Sequence, residues 1–197
     1  VALFHAAMPD RMLAARPPMS AAPPALSRDA VQADVSDRVG VSGRGRRHAR
    51  IVDEAPTDLD AALRYLRTQG PTRIGLAGAS MGGTASLLVA GTDPEDIDAV
   101  VTLSAPAVLS GLAVGPSQLA TISAPKLYIA GLGDPAGSVA AADAMYANSP
   151  QPSDEQIVTD DSHGTDLLTG SQGEHVQELI EAWFSRYLAA RPTPTDG

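Results

Sequence analysis

The 197-residue chain contains no cysteine. That excludes disulfides and thiolate metal sites, and a reducing, cytoplasmic setting is the simplest expectation. Its four histidines are scattered, without the tight spacing of a metal centre, and no cofactor is expected. No run of about 18 apolar residues is present, so no helical membrane span is expected. Positive charge is scarce: 14 Lys and Arg stand against 23 Asp and Glu, a net charge of −9 that disfavours nucleic acid as a partner. One basic run, Arg44-Gly45-Arg46-Arg47-His48-Ala49-Arg50, goes the other way. Short and isolated in an acidic chain, it is expected to be a solvated loop. No charged stretch followed by an apolar core and cleavage site opens the chain, so no signal peptide is visible. The first residue is Val1 rather than Met, which is consistent with removal of a leader.

What the chain has is core-forming material. A hydrophobic content of 44% over 197 residues suits one globular domain with a substantial core. That domain is expected over residues 1–190, atypical and rich in Pro and Arg over 1–50, with a frayed tail at 191–197. Leu59, Leu63 and Leu66, with Ala62 beside them, predict a helix from Thr57 to Arg67, and Thr57 with Asp60 resembles an N-terminal cap. Strands are expected at 73–78, 98–103, 126–130 and 155–159. Helices are expected at 81–90, around 137–147 and over 173–189, with a loop from Ser104 to Ala124. Val176, Leu179, Ile180, Trp183, Phe184, Tyr187 and Leu188 give the last helix an apolar face at three- and four-residue spacing, best read as core. Alternating strands and helices predict an α/β fold, a mostly parallel sheet with helices on both faces.

Three segments carry chemistry. Arg73-Ile74-Gly75-Leu76-Ala77 runs into Gly78-Ala79-Ser80-Met81-Gly82-Gly83, a Gly-x-Ser-x-Gly between strand and helix. This is the pattern of a nucleophile elbow, in which a tight turn lifts a serine hydroxyl clear of the sheet at a helix N-terminus. There the Met81 N–H and the helix dipole favour negative charge on a reacting oxygen. The strand at 126–130 ends in Gly131-Leu132-Gly133-Asp134, and the next in Asp160-Asp161-Ser162-His163-Gly164. Ser80, Asp134 and His163 thus each follow the carboxyl end of an expected parallel strand, the edge where sites assemble in such sheets. A serine hydroxyl needs a base, and an imidazole accepts and returns a proton at neutral pH. An aspartate on the far ring nitrogen holds the tautomer. Asp160, Asp161 and Asp166 are alternative acids, but lie so near His163 in sequence that a residue from a neighbouring strand end reaches its ring more easily. His48 and His175 read as surface residues.

These segments, in the order Ser80, Asp134, His163, resemble the α/β-hydrolase superfamily, and in particular bacterial serine esterases and dienelactone-hydrolase-like members. The resemblance covers residues 51–190 well. It implies Ser80 as nucleophile, His163 as general base and then acid, and Asp134 as the group that orients the imidazole. It further implies a first strand, matched here by Val1-Ala2-Leu3-Phe4-His5-Ala6-Ala7, with His5 in the place of a motif histidine lining the substrate site and Ala6 supplying a second oxyanion N–H beside that of Met81. Dienelactone hydrolases proper resemble this pattern with cysteine as nucleophile, so Ser80 points instead to esterase chemistry. The loop from Ser104 to Ala124 stands where hydrolases of this kind insert a cap. At about twenty residues it implies an open, shallow acyl pocket, which Ser104 can help to line.

The first fifty residues fit least well. Pro9, Pro17, Pro18, Pro23 and Pro24 fall where the resemblance implies a helix, at about 3 kcal/mol each in a helix interior. Only short helices, such as Asp10–Ala15 or Ser27–Ala33, are expected there. Two leading strands are missing, which leaves a sheet edge that a second copy of the chain can cover. The expectation is therefore a serine hydrolase of small carboxylic esters acting through an acyl-enzyme. Two alternatives stay open: a degenerate hydrolase-fold binding protein, favoured by the N-terminal departures, and an acyltransferase with the same triad.

Overall fold

Short apolar runs that pair side by side build the centre of the protein. The structure, a computed structural model, describes residues 2–4, 44–71 and 73–189. Strands β1 (Ala2–Phe4), β2 (Gly75–Ala79), β3 (Ala99–Leu103), β6 (Lys126–Gly131) and β7 (Ser153–Val158) form one sheet in the order β1-β2-β3-β6-β7. Every neighbouring pair is parallel, with Leu76 opposite Ala2 and Val100, and Val101 opposite Leu127. The three inner strands β2, β3 and β6 are buried along their whole length, as parallel strands covered on both faces must be. Strand β7, the last in the order, carries Asp154, Glu155 and Gln156 and is only partly buried.

The pleat divides the side chains between two cores. Leu76, Val100, Tyr128 and Ala130 face α1 (Arg44–Thr68), α2 (Met81–Thr92) and α4 (Ser138–Ala147). Ala77, Ala79, Val101, Leu103, Leu127 and Ile129 face α5 (Gly173–Leu188), whose Val176, Trp183 and Phe184 close the second core. Helices thus cover both faces, as the alternating pattern predicts. Among the described residues no helix is long and apolar enough to cross a membrane.

Three expectations are corrected. Helix α1 does not start at Thr57 but at Arg44, and it runs through Pro56. The basic run expected as a loop is its first turns. Val52, Ala55, Leu59 and Leu63, spaced three and four apart, are all fully or almost fully buried. Burying that stripe at roughly 1.5–3 kcal/mol per large side chain outweighs the ~3 kcal/mol cost of an interior proline. Thr57, one residue beyond Pro56, is therefore mid-helix and caps nothing. The segment from Ser104 to Ala124 is not a plain loop either. It folds into a hairpin of β4 (Val108–Leu109) and β5 (Leu112–Ala113), followed by the short helix α3 (Pro116–Thr121).

Lys126, the one lysine of the chain, opens β6 and is 1% exposed. Its ammonium donates to the carbonyls of Ile122 (3.1 Å) and Ala124 (2.9 Å), just past the end of α3. Burial pulls its pKa down to about 8. The folded value lies below that of the unfolded chain, so from about pH 8 to 10 the unfolded state holds more protons and folding stability rises with pH. Urea unfolding of the wild type and Lys126→Met across that range should show the wild type gaining roughly 1–2 kcal/mol relative to the variant. Parallel pH profiles would show that the amine is not held in its buried place.

Candidate active site

Strand β2 ends in a turn that only a residue without a side chain can enter. A methyl group on Gly78 would collide with the backbone of Gly82 and Gly83. Strand and helix therefore cross at near-contact, and the chain reverses at Ser80, which adopts φ +49° and ψ −120°. Such a conformation costs about 1–3 kcal/mol in a non-glycine residue and persists only where its surroundings enforce it. Here Ser80 N–H donates to Leu103 O (2.8 Å), while Ser80 O accepts from Gly83 N (3.0 Å) and Thr84 N (3.2 Å). Thr84 Oγ1 donates in turn to Pro106 O (2.7 Å), which ties the start of α2 to the segment after β3. Met81 is the first residue of α2, and N–H groups of a first helical turn have no acceptor within the helix.

The acid lies two strands away. Asp134 follows β6 in a turn closed by its own backbone, whose N–H donates to Gly131 O (3.2 Å) and whose carbonyl accepts from Gly137 N (2.9 Å). Its side chain has no exposed surface. Oδ1 accepts from Ala136 N (2.9 Å), and Oδ2 accepts from Ser138 Oγ (2.5 Å) and faces His163 Nδ1 at 2.8 Å. Burial works against the charge of Asp134, but the hydrogen bonds from Ser138, His163 and Ala136 outweigh it and hold the carboxyl below its ordinary pKa.

His163 completes the arrangement. Its Nε2 lies 2.9 Å from Ser80 Oγ and its Nδ1 faces Asp134. An ionised carboxylate only accepts, so Nδ1 carries the proton and Nε2 is left to accept from the serine hydroxyl. The next residue, Gly164, has φ +60° and packs against Ala79 and Ser80, which brings the base loop directly onto the elbow. A 3₁₀ turn, Gly164–Leu168, then leads away with Leu167 fully buried.

The neighbouring aspartates have other tasks. Asp160 is buried, and its carboxylate accepts from Ser162 N (2.8 Å), Ser171 Oγ (2.9 Å) and Gln172 N (3.0 Å). The Ser162 hydroxyl, the largest influence, acts with those donors to hold it far below the usual carboxylate range. Its carbonyl also accepts from Gly133 N (3.1 Å). One residue thus fastens the acid turn, the base loop and the start of α5 together. Among the four aspartates weighed from the sequence, Asp134 is the partner of His163 Nδ1.

Ser104 follows β3 as Ser80 follows β2, with φ +51° and its N–H on Ile129 O (2.8 Å). It is 1% exposed, and its hydroxyl has no hydrogen-bond partner among the described residues. His175 is exposed on α5, as expected. His5 and Ala6 lie outside the described residues, although β1, just before them, pairs with β2 through Phe4 opposite Gly78. Sequence reasoning missed Ser138. Its signal was a serine four residues after the acid, past a Pro-Ala-Gly turn and at a helix start, where a hydroxyl ordinarily caps its own helix.

Comparison with known proteins agrees with this fold. The family described as serine aminopeptidase, S33, matches residues 39–163. No curated protein matches the sequence. The fold is similar to the esterase domain of a Rhodothermus marinus protein, at 26% identity over 67% of this chain and 68% of that one, with a TM-score of 0.57. It is similar also to dienelactone hydrolase from Anabaena variabilis, at 25% identity over 82% and 69% of the two chains, TM-score 0.55. Est1E from Butyrivibrio proteoclasticus shares the fold at 19% identity over 71% and 72%, TM-score 0.59. The family match covers well over half of the chain and ends on the histidine that faces Ser80. The chain belongs to the S33 family of α/β-hydrolases.

Proposed function

We propose that the protein is a serine hydrolase of small carboxylic esters, working through an acyl-enzyme. The observation that carries this reading is the unbroken chain Ser80 Oγ to His163 Nε2 (2.9 Å) and His163 Nδ1 to Asp134 Oδ2 (2.8 Å). In the first step Ser80 Oγ attacks the ester carbonyl as His163 Nε2 takes its proton. His163 then gives that proton to the departing alkoxide, and an acyl-serine remains. In the second step water attacks the acyl carbon, His163 again accepting and returning the proton, so that acid leaves and Ser80 is restored. Asp134 keeps Nδ1 protonated and stabilises the imidazolium without taking its proton. The Met81 N–H serves the oxyanion. Each such donor is worth roughly 10²–10³ in turnover.

Small esters are favoured by what stands around the site. The segment after β3 holds only the short hairpin and α3 in place of a large cap. Val108 on the hairpin and Leu132 in the acid turn are 69% and 62% exposed, apolar surface suited to a short acyl group. A degenerate binding protein would have no need to keep three side chains in one hydrogen-bonded line. Transfer to an alcohol in place of water uses the same acyl-enzyme, and added acceptor alcohol in the assay separates the two outcomes.

A fluorophosphonate probe, which reacts with activated serines, should label the wild type and leave Ser80→Ala and His163→Ala unlabelled. Hydrolysis of p-nitrophenyl acetate should fall in both by up to ~10⁶-fold, since triad members act as a unit. Undiminished hydrolysis by Ser80→Ala would assign the chemistry to another residue. Asp160→Ala should fold yet lose on the order of 10²-fold in kcat, because a misplaced base costs that much without touching substrate. Retention of full kcat by Asp160→Ala would show that the loop keeps its place without this brace.

A further inference from the structure

Oδ2 of Asp134 serves two donors at once. Ser138 Oγ approaches it at 2.5 Å and His163 Nδ1 at 2.8 Å, while Oδ1 is taken by Ala136 N–H. The carboxylate has no exposed surface and Ser138 is 4% exposed, so solvent does not screen this competition. Nor is the hydroxyl needed by its own helix. The N-cap of α4 is Gly137, in the left-handed region at φ +71°, and no side chain caps that end. Ser138 is the first helical residue, and the acceptor its hydroxyl meets is the oxygen that also holds the histidine.

We propose that Ser138 is a positioning residue of the esterase site, one that sets the basicity of His163 by drawing negative charge away from the oxygen shared with the imidazole. A hydrogen bond to the ionised form stabilises that form and weakens its pull on a second donor. With the hydroxyl in place, Asp134 orients His163 firmly but holds the imidazolium less tightly, so the base returns its proton to the leaving group more readily. The inference rests on the triad reading given above and assigns a role to a residue outside the triad.

Among the described residues few other charges bear on the pair. Asp160, Asp161 and Asp166 belong to the base loop and its 3₁₀ turn, with Asp160 fastened by its own donors. Strand β3, the elbow, α2 and the hairpin bring no titratable side chain. On α4 the nearest is Asp143, half a helix beyond Ser138.

The test is NMR titration of the His163 ring in the wild type, Ser138→Ala, Ser138→Cys and Ser138→Thr, with His163→Gln to identify its signals. Removal of the donor in Ser138→Ala should move the ring titration to higher pH than in the wild type. Ser138→Cys, of nearly the same shape but a weak donor, should move it the same way, and Ser138→Thr should return it towards the wild-type value. A hydroxyl that merely packs the turn would leave this pKa unmoved. An unchanged or lowered value in a folded Ser138→Ala or Ser138→Cys therefore overturns the proposal. Fluorophosphonate labelling of the same samples separates the two readings. A wild type that does not label overturns the esterase reading, and a wild type that labels while the pKa stays fixed overturns only the role of Ser138.

Discussion

At the carboxyl edge of the sheet, each strand end is fastened to the next. The Ser80 N–H donates to Leu103 O, the Ser104 N–H to Ile129 O, and the Leu132 N–H to Val158 O. These three bonds continue the parallel ladder by one residue past each strand, at the point where every chain must turn away. They decide where the turns begin, and so where Ser80, Asp134 and His163 project. Had any strand slipped by one residue, its side chains would have exchanged faces, and the chain from serine to acid would not close. Two of the three residues that donate, Ser80 and Ser104, hold positive φ. Their strain and their anchoring coincide, as expected where surroundings enforce a costly conformation.

On that edge the electrostatics are divided between two buried carboxylates. Asp134 and Asp160 both have abundant donors, and both are held in the charged form despite low exposure. They differ in what their donors belong to. Those of Asp160 are the Ser162 and Gln172 backbones and the Ser171 and Ser162 hydroxyls, which are structural, so its charge is spent on geometry. Asp134 gives one oxygen to structure, through Ala136, and shares the other between Ser138 and the base. A carboxylate left partly unsatisfied by structure remains available to stabilise an imidazolium as it forms. This difference, rather than distance in sequence alone, separates the acid of the site from its brace.

The sequence made the site legible because its parts are local. Gly78, Ser80 and the apolar runs on either side define an elbow within a dozen residues, and Gly131 to Asp134 and Asp160 to Gly164 are equally compact. What joins them is the parallel order of strands, which alternation of strand and helix also announces. Thr57 with Asp60 imitates a helix start in the middle of α1. The stripe Val52, Ala55, Leu59 and Leu63, which overrides Pro56, acts only once the sheet is there to bury it. The hairpin at Val108–Ala113 was hidden because strands of two residues leave no period to read. Ser138 was hidden for a different reason: its partner is a side chain across a turn, and no local rule links a first-turn serine to a carboxylate four residues earlier.

His163 is the member of the candidate site most dependent on the rest of the fold. Ser80 is fixed by the elbow and by β3, both within the rigid centre of the sheet. His163 stands on a loop whose position is set at one end by Gly164 against the elbow and at the other by Asp160 on Ser171 and Gln172, where α5 begins. The place of α5 comes in turn from Val176, Trp183 and Phe184 packed on the second face of the sheet. That packing holds the donors of Asp160 in place, and it also reaches Ala77 and Ala79 of β2, next to Ser80. The hydrophobic core behind the sheet therefore bears on both the orientation of the imidazole and the place of the Ser80 turn.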